Sequence, residues 1–380
     1  MSNQTATAGG ARTIFFEDLG RDCYAARLTG AAVKDKSGSD LVPDANIGVV
    51  VGRKSVLVVD AGAHPSIATA VEEAISGRFG KPVRYVALTH FHARQTLGVT
   101  GFDGADIVVS DLTRRMLADH GPDNRLLALA RDSSGLAGSA SRRVRSTINF
   151  ASSMTLDLGD REVRLMHLGR GHTLGDTVVW VEDERVMFTG GLVATSIAPY
   201  CGDGHIGDWP RVLTRMAAFR PNAIMPSRGT CAIGPNAVAR ALDQTSRYLS
   251  VLKTAGFEAV ESGASLAEVL AAVDEAMPAD LKKLAAHAAM LRFNVARTYD
   301  EAKGVDMPPV WTTEREAALG RALGAADAPA AKPAKSAQSD EIADDTPEEA
   351  AETEAAETEP AETDAIETDA GMKDEGETRD

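Results

Sequence analysis

Cysteine is scarce in this 380-residue chain: Cys23, Cys201 and Cys231 are too few and too scattered for a disulfide framework. That scarcity points to a reducing, cytoplasmic setting. Long apolar runs are missing too. Nothing approaches the roughly 18 consecutive apolar residues that a bilayer-spanning helix needs, so no membrane partner is expected. The opening residues, MSNQTATAGGARTIFF, lack the basic-then-apolar order of a secretory signal.

An excess of positive charge is also absent. The formal net charge of −15 comes from 55 acidic and 40 basic residues, of which 19 acidic and 4 basic lie beyond residue 326. The body before that point therefore holds 36 of each sign. Its neutrality gives no electrostatic case for nucleic acid. The acidity belongs to residues 326–380, where AETEAAETEPAETDAIETDAG offers little apolar bulk and much like charge, and this tail is expected to be disordered.

What is present is 44% apolar residues, enough for a sizeable core. Short β-rich runs occur at Ile47–Val51, Ser55–Val59, Val83–Leu88 and Ile107–Ser110. Between the second and third, Ile67, Val71, Ala74, Ile75 and Phe79 recur at helical spacing. Further strands are expected at Met154–Leu158, Glu162–Leu168, Thr177–Val181 and Arg185–Phe188, then a helix at Asp208–Phe219 and a strand at Ala223–Pro226. The arginine-rich stretch Asp111–Phe150 reads as a helix followed by a loop, either a lid or a surface insertion. From Pro235 to Ala302 the pattern is helical. This organisation implies a mixed α/β domain over residues 12–235, a helical extension over 236–325 and the acidic tail.

The residues that carry chemistry begin in VRYVALTHFHARQTLG, residues 83–98. A buried strand ends at Thr89, and His90 and His92 follow at a spacing that turns both rings to one side, within reach of one metal ion. Upstream, VLVVDAG ends a strand at Asp60. Downstream, GRGHTLGDT sets His172 in a glycine-rich loop together with Asp176. VMFTGG and IMPSRG follow in order, ending in Gly191 and Arg228.

These five blocks, in this order and spacing, resemble the metallo-β-lactamase superfamily, nearest to its glyoxalase-II-like and sulfur- or quinoprotein-associated hydrolases. The resemblance spans about Ile14 to Ala302. It implies an αββα four-layer sandwich with the site at one edge. It also implies a metal site at His90, His92 and His172, with Asp60, Thr89 and Asp176 supporting it. The departures matter as much. Arg94 stands where the family's block has Asp, Gln95 where it has the next His, Gly191 where it has Asp, and Arg228 where it has the last His. A guanidinium offers no lone pair and stays protonated, so Arg94 and Arg228 cannot ligate a cation. A second metal is therefore not expected.

The resemblance then implies a hydrolase with one zinc ion, iron being less suited because a carboxylate ligand is lacking. Zinc-held water would attack an ester, thioester or similar bond, while Arg94, Arg228 and Gln95 hold a small anionic substrate. The alternative is a catalytically silent member that uses the same pocket to bind an anion. Among lesser candidates, Tyr200, Cys201 and His205 lie in the loop after the lost Asp, and Cys201 is a conceivable replacement ligand. His167 reads as a core or surface histidine. His64, His120 and His287 show no pattern.

Overall fold

A computed structural model describes residues 6–8, 12–30, 33–34, 40–41, 45–120 and 144–324. The acidic tail and the central part of the arginine-rich stretch lie outside these residues. The described residues fall in one compact unit.

Two sheets form its middle. The first runs, in spatial order, β1 (Ala6–Ala8), β2 (Arg12–Gly20), β3 (Cys23–Gly30), β6 (Ile47–Val51), β7 (Val56–Val59), β8 (Val83–Ala87), β9 (Asp106–Ser110) and β10 (Ile148–Phe150). Its pairings are antiparallel as far as β7 and parallel from β7 to β10. Between β3 and β6 the chain makes a separate small pair, β4 (Val33–Lys34) with β5 (Asp40–Leu41). The second sheet runs in chain order through β11 (Ser153–Asp157), β12 (Glu162–Met166), β13 (Val178–Val181), β14 (Val186–Gly190), β15 (Ala223–Pro226) and β16 (Ala232–Ile233).

Alternation along the strands explains why the sheets stack. Val56 and Val58 face helix α1 (Pro65–Phe79), whereas Leu57 and Val59 face the other sheet. Val179 and Val181 meet them across the interface, while Val178 and Trp180 turn to the helices on the far side. Because both faces of each central strand are covered, these strands read as unbroken apolar runs. The result is four layers, helix on sheet on sheet on helix, as the resemblance implies. Burial of such Val and Leu side chains contributes roughly 1.5–3 kcal/mol each.

The expected strands appear within a residue or two of their expected ends. Helix α2 (Ala93–Thr96) follows His92, and α3 (Asp111–Asp119) opens the arginine-rich stretch. The remaining helices are α4 (Trp209–Ala218), α5 (Pro235–Glu261), α6 (Leu266–Ala276), α7 (Ala279–Lys282), α8 (His287–Ala302) and α9 (Thr313–Ala322). Helices α4 to α8 share a core with the second sheet through Trp209, Tyr248, Leu249, Val273, Leu281 and Val295. Residues of the helical extension are thereby packed beside the sandwich and not beyond it. The hairpin of β2 with β3, which had no sequence expectation, turns at Asp22 in the left-handed region at φ 61°.

Candidate metal centre

The edge where parallel strands end gathers the functional side chains. β7 delivers Asp60, β8 delivers Thr89, His90 and His92, β14 delivers Gly191, and β15 delivers Ser227 and Arg228. His172 arrives from the loop between β12 and β13. Its ring centroid lies 4.7 Å from that of His90 and 4.8 Å from that of His92, and the His90–His92 separation is 4.8 Å. One nitrogen from each ring lies within 4.8 Å of the others, the geometry of a group able to hold a metal ion. Cys201 and His205 are not part of this group.

The partners on the outer side of each ring fix its tautomer. His172 Nδ1 faces the Tyr200 carbonyl oxygen at 2.9 Å and must donate to it. His92 Nε2 faces Asp203 Oδ2 at 2.8 Å and donates to that carboxylate. Thr89 gives its hydroxyl proton to the Asp60 carboxylate, 2.9 Å away, so its oxygen is left to accept from His90 Nδ1 at 2.8 Å. All three rings therefore carry N–H outward and a lone pair inward. The lone pairs of His172 Nε2 and His92 Nδ1 stand 3.0 Å apart. Such a pair is stable only with a positive species between, either a proton or a metal ion. Outward N–H groups held by a carboxylate, a carbonyl and a hydroxyl are the arrangement that orients histidine ligands. The donor set fits one metal ion.

Burial keeps the imidazoles of His90 and His172 neutral. His172 is pushed down to about 3, first by burial and then by the neighbouring His92. His90 is held well below the usual histidine range, chiefly by burial. Burial acts on Asp203 to raise its carboxyl, but the hydrogen bond from His92 outweighs it and leaves the group below its ordinary value.

Asp60 sits at φ 61° and accepts both the backbone N–H and the hydroxyl of Thr89, at 2.8 and 2.9 Å. Asp176 accepts the N–H of Thr173 at 2.9 Å and its hydroxyl at 2.8 Å, closing the turn that carries His172. Arg94 and Gln95 lie on α2, and Arg94, Gln95 and Arg228 all line the cleft above the histidines. That cleft has a volume of about 270 Å³. Three guanidiniums line it, those of Arg94, Arg228 and Arg292, and no carboxylate does among the described residues. Gly191 lines it as well, against the ring of His172.

Two of the histidines without a sequence pattern find structural partners. His64 caps α1 by accepting from Ser66 N at 3.0 Å, and His287 pairs with the Tyr248 hydroxyl at 3.1 Å. His167 Nδ1 donates to the Asp176 carbonyl at 3.0 Å. Cys201 is fully buried, and burial pushes its thiol pKa up.

Sequence reasoning missed Asp203. It stands in the loop 191–208, two residues from Cys201 and two from His205. The signal in the sequence is an acidic residue between two glycines, Gly202 and Gly204, in the loop that holds Cys201, the conceivable replacement ligand.

The family described as the metallo-beta-lactamase superfamily matches residues 42–228. A metallo-beta-lactamase type 2 of Bacteroides fragilis is 29% identical over 85 residues, which is 21% of this chain and 34% of that protein. The chain thus spans about a third of the length of this relative. Among solved structures, the metallo-β-lactamase of Hirschia baltica is 17% identical at a TM-score of 0.46, covering 60% of this chain and 96% of its own. That of Pontibacter korlensis is 19% identical at a TM-score of 0.42, covering 64% and 98%.

Proposed function

We propose that this chain, which belongs to the metallo-β-lactamase superfamily, is a single-metal hydrolase acting on an ester, thioester or similar bond of a small anionic molecule. The observation that supports it best is the convergence of three imidazole lone pairs, each ring oriented by an outward hydrogen bond. His90, His92 and His172 would hold one zinc or similar divalent ion, whose Lewis acidity makes water nucleophilic near neutral pH.

The chain's own residues do the rest. Arg94 and Arg228 bind the anionic end of the substrate and set its place in the cleft, with Gln95 alongside. Asp203 keeps His92 in the tautomer that a cation needs. Asp60 does so for His90 through Thr89. Asp176 holds the His172 turn closed. The partner is a small molecule, with neither nucleic acid nor membrane involved, and three free thiols suit the cytoplasm.

A second reading is favoured by one feature: no carboxylate among the described residues lines the cleft to accept a proton. On that reading the pocket binds an anion without turning it over. Elemental analysis of the purified chain, with assays of carboxylate-bearing esters and thioesters before and after His92→Ala, separates the two. The hydrolase reading expects about one metal per chain and an activity abolished by the substitution. Activity that survives His92→Ala unchanged would overturn it.

A further inference from the structure

The cleft has two unlike walls. On one stand the histidines with Arg94, Gln95 and Arg228. On the other stand Met290 and Phe293 of α8, with Trp311 from the segment before α9 and Ile197 from the loop 191–208. The one charged group on this wall, Arg292, lies over the Phe293 ring at 4.5 Å and is paired with Glu316 at 2.9 Å. An aromatic series joins the walls. Tyr200 lies 5.6 Å from His92, Phe293 lies 5.9 Å from Tyr200, and Trp311 lies 4.9 Å from Phe293, each edge to face.

This second wall is fixed before any ligand arrives. Asn294, fully buried, donates to the Pro199 carbonyl at 2.9 Å and accepts from Cys201 N at 2.7 Å. Arg297, also fully buried, donates to the Gly204 carbonyl at 2.6 Å. Trp311 Nε1 donates to the Gly202 carbonyl at 3.1 Å. Helix α8 and Trp311 therefore pin residues 199–204, the stretch that carries both Tyr200 and Asp203. A wall whose side chains are already ordered loses little entropy when an apolar group docks on it.

We propose that the ligand is an amphipathic anion, its charged end on Arg94 and Arg228 and an unbranched or aromatic apolar tail against Met290, Phe293 and Trp311. This rests on the reading of the two arginines as the anion-binding side, but not on any turnover. The cleft, about 270 Å³, is near the small end for ligand pockets, so the tail is short. Apolar burial contributes about 0.8 kcal/mol per methylene, which is roughly fourfold in affinity.

The test is calorimetric titration of the full chain with acetate, butyrate, hexanoate and octanoate, none of which can be hydrolysed. Affinity should climb by about fourfold per added methylene until the cleft is full. Phe293→Ala should lower the ratio of longest- to shortest-chain affinity at least tenfold. Since Phe293 is buried and its loss can unfold the chain, the half-buried Met290→Ser provides a second probe, with a smaller drop in the same ratio. A flat series in the wild type, no binding of any member, or a ratio unchanged in both variants would overturn the proposal. Failure to hydrolyse any ester would sink the enzyme reading and leave this series untouched.

Discussion

The imidazole of His172 fills the space where a side chain on Gly191 would stand. A Cβ built there would lie 2.0 Å from His172 Cδ2 and 2.4 Å from Nε2, far inside any real contact. Gly191 is therefore more than a lost ligand: its missing side chain is what lets His172 close on His92. Restoring the family's carboxylate by Gly191→Asp should push the ring away from the Tyr200 carbonyl. Metal content, read by elemental analysis, is expected to fall below that of the wild type, with a destabilisation of about 1–3 kcal/mol from overpacking. A rise toward two metal ions per chain would show that the second site needs only this carboxylate.

Asp203 gives a separate handle on the same centre. Replacing it by Asn removes the charge that holds His92 Nε2–H and lets the amide present either end to the ring. Loss of such an orienting carboxylate typically weakens metal binding about 10- to 100-fold. Competition against a chelator of known affinity should register a loss of that size in Asp203→Asn. An unchanged metal affinity would mean that the Asp203–His92 contact of 2.8 Å plays no part in orienting the ligand.

Stability should depend on pH through the buried carboxyls. Burial pushes Asp60 up to about 7, against the pull of the two Thr89 donors, and it pushes Asp176 up to about 7 likewise. An unfolded carboxyl titrates near about 4. The native state thus binds these protons more tightly, so their contribution is complete below pH ~4 and is lost as pH rises through ~7. His90 and His172 act in the opposite direction. Held neutral in the fold, they stabilise it above the ordinary histidine range and weaken it as pH falls below about 6.5. The metal-free wild type and Asp60→Asn, unfolded in urea at pH 4 and pH 8, isolate one term. Relative to wild type, Asp60→Asn should gain roughly 2–4 kcal/mol between the two pH values. A difference independent of pH would show that Asp60 is ionised without cost in the fold.

The sequence was most legible where local pattern and global fold coincide. Val56–Val59 and Val83–Ala87 are apolar throughout because both faces of the sheet are covered, and the residues just past such strands fall at the site edge. His90 and His92 could be read for that reason, as could the glycine-rich turn that presents His172. Asp203 could not, because its role depends on α8 and Trp311 holding residues 199–204 against the histidines, contacts made across about 90 to 110 residues of chain. Helix α8 falls within the helical pattern of Pro235–Ala302, but that pattern does not say that Met290 and Phe293 face a cleft while Asn294 and Arg297 face a loop. The hairpin of β2 and β3 was hidden by a mixed polar and apolar run that turns at an aspartate instead of a glycine.

The arginines remain the clearest departure from the superfamily's pattern, and their placement makes a sharp test possible. Arg94 sits one residue into α2, directly after the helix begins at Ala93, and Arg228 follows the end of β15, so both approach the cleft from the side of lost ligands. Burial pulls the Arg228 pKa down from its ordinary value, yet a guanidinium stays charged at any biological pH. A charge in that position repels a second cation and attracts an anion, and it is worth more there than on an open surface because the walls exclude water. Sulfate and acetate titrated into wild type, Arg94→Ala and Arg228→Ala should therefore bind most tightly to the wild type. Each substitution should cost about 1.5–3 kcal/mol, or roughly 10- to 150-fold, as expected for a charge-assisted hydrogen bond. Raising the salt concentration should weaken the wild type only modestly, since screening acts less on a partly buried pair. If all three proteins bind these anions equally, the arginines do no more than bar a second metal ion.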